Sequence, residues 1–208
     1  MKTTILLATF AMLAPCSNAV ILWDQPYDGQ GWGIKAQEYP DFPQADSYPS
    51  DDFVVSDPAW FITRVFAPGI EVGDSRANLA VNMLVGPTPN FFDATLFAHG
   101  TQEGEDLVFT PNKTLAQGSY WLFTYVVRSF GRGGQRFQKT TTPVRGSEGY
   151  FHNPGGGYGL GTDPVPLAVI FGRPQDLAFR IEGEIVPEPA SITALILGGI
   201  AIWRRKRG

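Results

Sequence analysis

Glycine or proline falls at about every fifth position of this chain, 24 and 17 residues among 208. Glycine weakens a helix through backbone entropy and proline through its missing N–H, so a chain punctuated this densely is poorly suited to long helices. Short strands joined by turns remain open to it. Leu177, Phe179, Ile181, Gly183 and Ile185 alternate with Ala178, Arg180, Glu182 and Glu184. That period of two predicts a half-buried strand. Tyr120 to Phe130 is a longer aromatic and β-branched run, and Leu79 to Val85 alternates. Trp60 to Ala67, Thr95 to Ala98, Leu107 to Thr110 and Leu167 to Phe171 are shorter strand candidates. With 43% hydrophobic residues the chain can fill a core. The expected fold is all-β, a β-sandwich with jelly-roll-like connections.

The two ends read differently from this body. Lys2, the apolar stretch Ile5 to Leu13 and the small-x-small triplet Ser17-Asn18-Ala19 predict a secretory signal peptide over 1–19, cut between Ala19 and Val20 by a signal peptidase after passage through the general secretion machinery. Cys16, the only cysteine, goes with it, so the mature chain is expected to hold no disulfide, thiolate nucleophile or thiolate metal site. At the other end Ile192 to Trp203 is apolar and is followed by Arg204, Arg205, Lys206 and Arg207. Its 12 residues are short for about 30 Å of hydrocarbon, but cations beside an apolar end stay cytoplasmic, and the segment reads as a short transmembrane anchor. With Lys2 also inside, the body 20–186 lies outside the membrane.

Between body and anchor stand Pro187, Glu188 and Pro189. Both prolines fix φ, and Glu188, which precedes one, is pushed to extended conformations, so the segment cannot join the following helix. Val186-Pro187-Glu188-Pro189-Ala190-Ser191, a short apolar helix and an arginine-rich end together resemble the PEP-CTERM sorting signal of Gram-negative bacteria, over about the last two dozen residues. Asp51-Asp52-Phe53 and Asp176-Leu177-Ala178-Phe179 resemble body features of such proteins more loosely. The resemblance implies recognition of segment 187–208 by an exosortase, cleavage near the motif, and passage from a transient membrane anchor to the cell surface or exopolysaccharide matrix. The chain resembles the substrate of that enzyme.

The body carries 11 Lys+Arg against 19 Asp+Glu, a net charge of −8, which with export argues against a nucleic-acid partner. Its cations are uneven. Arg128, Arg132, Arg136, Lys139 and Arg145 surround the glycines 131–134, whereas Asp24 to Asp57 is acidic. The basic stretch reads as a solvated rim or as a partner of that acidic segment. The sharper alternative makes Arg128, Arg132, Arg136 and Lys139 contacts for an anionic exopolysaccharide. Trp23, Tyr27, Trp32, Tyr39 and Tyr48 sit in a segment rich in Gly, Pro and Asp, where exposed rings could stack on sugars and buried ones would cover the core edge.

Catalytic signals are thin. Gly73-Asp74-Ser75 lacks the Gly-x-Ser-x-Gly frame, and the chain has only His99 and His152 for a hydrolytic triad. Glu182 and Glu184 share a strand face, where paired carboxylates more often solubilise than catalyse. Glu103, Glu105 and Asp106 lack the spacing of a calcium loop. "FHNPGGGYGLG" reads as a flexible loop. A non-enzymatic surface or matrix protein without cofactor or metal is expected, with a carbohydrate-binding module as the alternative and a secreted hydrolase behind both.

Overall fold

A computed structural model describes residues 19–30, 32–73, 78–131 and 134–188. The expected signal peptide before Ala19, Arg132, Pro189, the expected anchor Ile192 to Trp203 and the cations Arg204, Arg205, Lys206 and Arg207 lie outside the described residues, as do Asp74 and Ser75. The described chain is predominantly β, in two sheets.

The spine of the larger sheet is β4, Tyr48–Ala67, a strand of 20 residues. It outlasts the Trp60 to Ala67 segment expected to be a strand because it absorbs Pro58 without losing its partner. The register with β9, Lys113–Val127, slips between Val55 and Ala59, so Pro58 falls in a bulge where no ladder N–H is required. Beyond the bulge β4 pairs on one edge with β14, Phe179–Val186. Its opposite edge continues onto β8, Asp106–Phe109. Strands β6, Ala80–Gly86, and β7, Thr95–Glu103, link β8 back to β9, so five strands close a circuit of pairings. β1, Val20–Gln25, adds outside β14 with Val20 opposite Gly183. β3, Gln37–Glu38, β11, Tyr150–His152, and β12, Val165–Pro166, complete the sheet.

The smaller sheet is centred on β10, Gln135–Thr141, flanked by β2, Gly33–Lys35, β5, Gly69–Val72, and β13, Asp176–Leu177. The two sheets share one core. Ile34 and Leu177 from the small sheet join Phe53, Trp60, Ile62, Met83, Leu107 and Phe109 from the large one. A second cluster lies on the other face of β6 and β9, where Leu84, Phe123, Tyr125 and Val127 meet Ala36 and Tyr48. Burial on both faces is why Tyr120 to Val127 reads as a continuous apolar run.

One expectation changes and a second, the loop after β11, is sharpened. Leu167–Phe171 is a helix, α1, of five residues rather than a strand. Its Ala168 N–H donates to Glu148 at 2.8 Å, and Gly172, with φ of 71°, closes its end. The "FHNPGGGYGLG" stretch opens as strand β11 and then packs tightly: a Cβ at Gly155 or Gly157 would come within 2.3 Å of the backbone of Pro43 or Gln44. Glycine serves close approach there, beyond any role in flexibility. Among the described residues no helix is long and apolar enough to cross a membrane.

Candidate functional site

β10 inverts the usual pattern of a half-buried strand. Arg136, Gln138 and Thr140 point inward and are buried, while Phe137 and Lys139 on the other face are partly exposed. An interior row of polar side chains must be paired within the protein. Gln138 accepts from Thr124 Oγ1 at 2.8 Å and donates to Ala178 O at 3.3 Å. Thr140 donates its hydroxyl to Gln175 Oε1 and its backbone N–H to Trp32 O at 2.8 Å. A polar seam therefore runs between the sheets, with a cluster of titratable side chains at each end.

At one end stand Arg128 and Arg136, both 0% exposed. Arg136 Nη1 lies 3.2 Å from Glu71 Oε1 and donates to Glu105 O at 2.6 Å, and its Nη2 donates to Ala67 O at 2.9 Å. Arg128 Nη1 lies 2.8 Å from Glu71 Oε2, with Asn78 and Gln102 accepting from Nε and Nη2. Gly69 makes room: a Cβ there would stand 2.3 Å from the Arg136 guanidinium. Burial lowers the Arg136 pKa, countered by Glu71. These two arginines are thus internal ties between the sheets. The expected polysaccharide patch is corrected accordingly: Arg128 and Arg136 cannot reach a polymer, and the acid they meet is Glu71, outside the Asp24 to Asp57 segment. Lys139 alone of the four reaches the surface among the described residues, 3.6 Å from Glu105 and 5.1 Å from the Tyr27 ring centre. The period-two register of Arg136, Gln138 and Thr140 was the available signal, hidden because polar residues are expected to face water.

At the other end three carboxyls gather. Asp51 Oδ2 accepts from Gln25 at 2.8 Å and from the Leu177 N–H at 2.6 Å, and its Oδ1 accepts from the Asp52 N–H at 2.8 Å. Asp176 Oδ2 accepts from the Arg145 N–H at 2.5 Å, while its buried Oδ1 has no hydrogen-bond partner among the described residues. Asp52 accepts from the Ser147 N–H at 3.0 Å. Burial, with Asp176 nearby, pushes Asp51 well above the usual carboxylate range. Burial, with Asp52 and Glu148 nearby, pushes Asp176 up to about 7. Asp52 is raised by burial as well. These groups are suited to hold protons, but Asp51 and Asp176 are closed to solvent and so to substrate. Among the described residues no three metal-ligating side chains are placed to hold an ion.

Gln25 connects this cluster to the surface, because it also lines two adjoining cavities of about 220 and 400 Å³ that share Asp24, Gln25 and Pro26. The smaller is walled by Phe66, Pro68, Asp106, Phe179 and Arg180. The larger runs along Asp28 and Thr141 to Arg145. Asp24 and Arg180 are opposed across β1 and β14, and pair at 3.0 and 3.3 Å. The Arg145 guanidinium lies over Trp23, 3.8 Å from the ring centre, and donates to Asp24 O at 3.2 Å. Asp28 accepts from Thr142 N–H and Oγ1 at 3.1 and 2.6 Å and from the Gln30 N–H at 2.8 Å.

Of the five N-terminal aromatics, Trp23, Tyr39 and Tyr48 are buried, whereas Tyr27 is 38% and Trp32 67% exposed. Tyr27 lies between the groove residues Pro26 and Asp28, and Trp32 is held by backbone bonds to Thr140.

The remaining candidates separate. His152 is buried, its Nδ1 accepting from the Phe91 N–H and its Nε2 donating to Thr162 O. His99 sits on β7 beside Asn82, at 2.9 Å. Glu103 faces Arg64 at 4.0 Å and Glu105 faces Lys139, across the turn from β7 to β8. Ala19, Val20, Pro187 and Glu188 are exposed at the ends of β1 and β14. Compared with known proteins, the chain matches no family model, and no curated protein aligns with it significantly.

Proposed function

We propose that this chain is an exported bacterial surface or extracellular-matrix protein, with a non-enzymatic β-sandwich body, jelly-roll-like in its connections. Segment 1–19 is its signal peptide, and segment 187–208 is its sorting and anchor segment, processed by an exosortase that recognises Pro187-Glu188-Pro189 and cleaves near it. One observation carries the reading. β1 begins at Val20 and β14 ends at Val186, and the two are hydrogen-bonded neighbours with Val20 opposite Gly183. Both junctions therefore leave the body at one end of one sheet, exposed, and cutting at either removes no paired strand. A body delivered by one signal and held by the other needs both ends directed at the same membrane.

The test is mass spectrometry of surface material from wild-type cells and from cells lacking the exosortase. The expected wild-type product begins at Val20 and lacks Trp203 to Gly208, and the tail persists in the deletion strain. Wild-type material consisting only of chains that retain the tail would overturn the sorting role.

The groove favours a second reading, a carbohydrate-binding module presented at the surface. Its walls combine polar side chains of both charges with apolar rings, the mixture that sugar recognition uses.

A further inference from the structure

We infer that the groove between the end of β1 and the segment Thr141 to Arg145 binds an uncharged, hydroxyl-rich sugar chain; this rests on the carbohydrate-binding reading and names its ligand class and residues. The charge pattern selects against ions of either sign. Asp24 is neutralised by Arg180 at 3.0 Å, Arg145 spreads over Trp23, and Asp28 and Asp106 stand at opposite ends. The three carboxylates and two guanidiniums of the lining nearly cancel, so neither a polyanion nor a polycation finds a surface of uniformly opposite charge. A hydroxyl group both donates and accepts, so neighbouring hydroxyls of one sugar ring can answer a carboxylate and a guanidinium at once.

The donors are in place before any ligand arrives. Two of the five Arg180 N–H groups are spent on Asp24, and Arg145 is positioned by Trp23 and Asp24 O. Preorganised side chains lose little entropy on binding. The apolar walls suit the C–H faces of sugar rings: Phe66 and Pro68 in the smaller cavity, Pro26 and Pro143 in the larger. At about 220 and 400 Å³ joined along Asp24 to Pro26, the groove accommodates a chain of several sugars better than a single one.

The test titrates the full chain with cellohexaose, maltohexaose and a mannan hexasaccharide, and with a hexameric alginate as the anionic arm. Binding is read by calorimetry and by the ¹⁵N signals of the Trp23 indole N–H and the Arg145 and Arg180 Nε–H groups. The expected result is that at least one neutral hexamer moves these signals, with an affinity that changes less than about twofold between low salt and about 1 M NaCl, where the screening length is about 3 Å. Arg145→Gln and Arg180→Gln should each weaken that affinity about tenfold at unchanged Tm. The wild-type spectra decide the case should either variant fold poorly. Binding of alginate alone, lost in high salt, would overturn the neutral ligand and leave the carbohydrate-binding reading standing. No shift of these signals with any sugar at about 10 mM would overturn both.

Discussion

The two ends of the inter-sheet seam meet the same difficulty with opposite charge. At one end Arg128 and Arg136 are buried with a single carboxylate, Glu71, and a set of carbonyl and amide oxygens. At the other, Asp51, Asp52 and Asp176 are grouped with backbone N–H donors and Gln25, and no side-chain cation contacts their carboxyl oxygens among the described residues. A guanidinium does not give up its proton in a protein, so its burial requires a counter-ion and acceptors for most of its N–H groups, Arg136 Nε being the one left without a partner among the described residues. A carboxylate can instead take a proton, and burial of these three pushes them that way. The seam teaches that a buried cation is made tolerable by its partners, and a buried acid by its own titration.

Glu71→Gln is the strongest way to break this contrast. It leaves two buried guanidiniums without a counter-charge, and denaturant unfolding should show a loss of about 3–5 kcal/mol. A loss under about 1 kcal/mol would mean that the neutral oxygens suffice and that the two ends are alike.

The acidic end should show itself through pH. The folded state holds protons on Asp51 and Asp176 more tightly than the unfolded chain, for which an ordinary carboxyl titrates near 3.8 and folded Asp176 near 7. Stability from Asp176 is therefore complete below about pH 4, falls as pH rises, and stops falling above about 7, and Asp51 acts in the same direction. Thermal melts should give a Tm several degrees lower at pH 8 than at pH 5. Asp46, raised to about 6 by burial, adds to the same slope. A Tm that climbs across this window would refute the protonated cluster.

The smallest effect sharpens the comparison. Asp176→Asn replaces an already neutral acid with a neutral isostere, so at pH 5 stability should stay within about 1 kcal/mol of the wild type. At pH 8 the variant should be the more stable protein, with a flatter Tm profile. Equal loss at both pH values would assign Asp176 a role in packing alone.

Legibility from the sequence followed the same physics. β14 was readable because one face is core and the other water, so Phe179 and Ile181 alternate with Arg180 and Glu182. β6 was readable by its alternation, and much of β9 as an aromatic and β-branched run. The α1 helix was not, because five apolar residues fit a strand and a helix turn equally well. β10 was legible as a strand in hindsight, yet its inward face was not, since burying Arg136 is favourable only once Glu71, Ala67 O and Glu105 O have been brought around it. The groove was invisible for a related reason: Asp24, Asp106, Arg145 and Arg180 are distant in the chain and meet only across β1, β8 and β14.

By itself the sequence determined the all-β character, through glycine and proline spacing and period-two patterning, both of which act locally. The signal and sorting segments proposed above are likewise linear features, read before or apart from folding. Only the tertiary structure decided which charges are buried, which aromatic rings stay in solvent, and where a ligand could lie. Those outcomes depend on desolvation and pairing between strands far apart in sequence, and no local pattern encodes the partner that a buried charge will find.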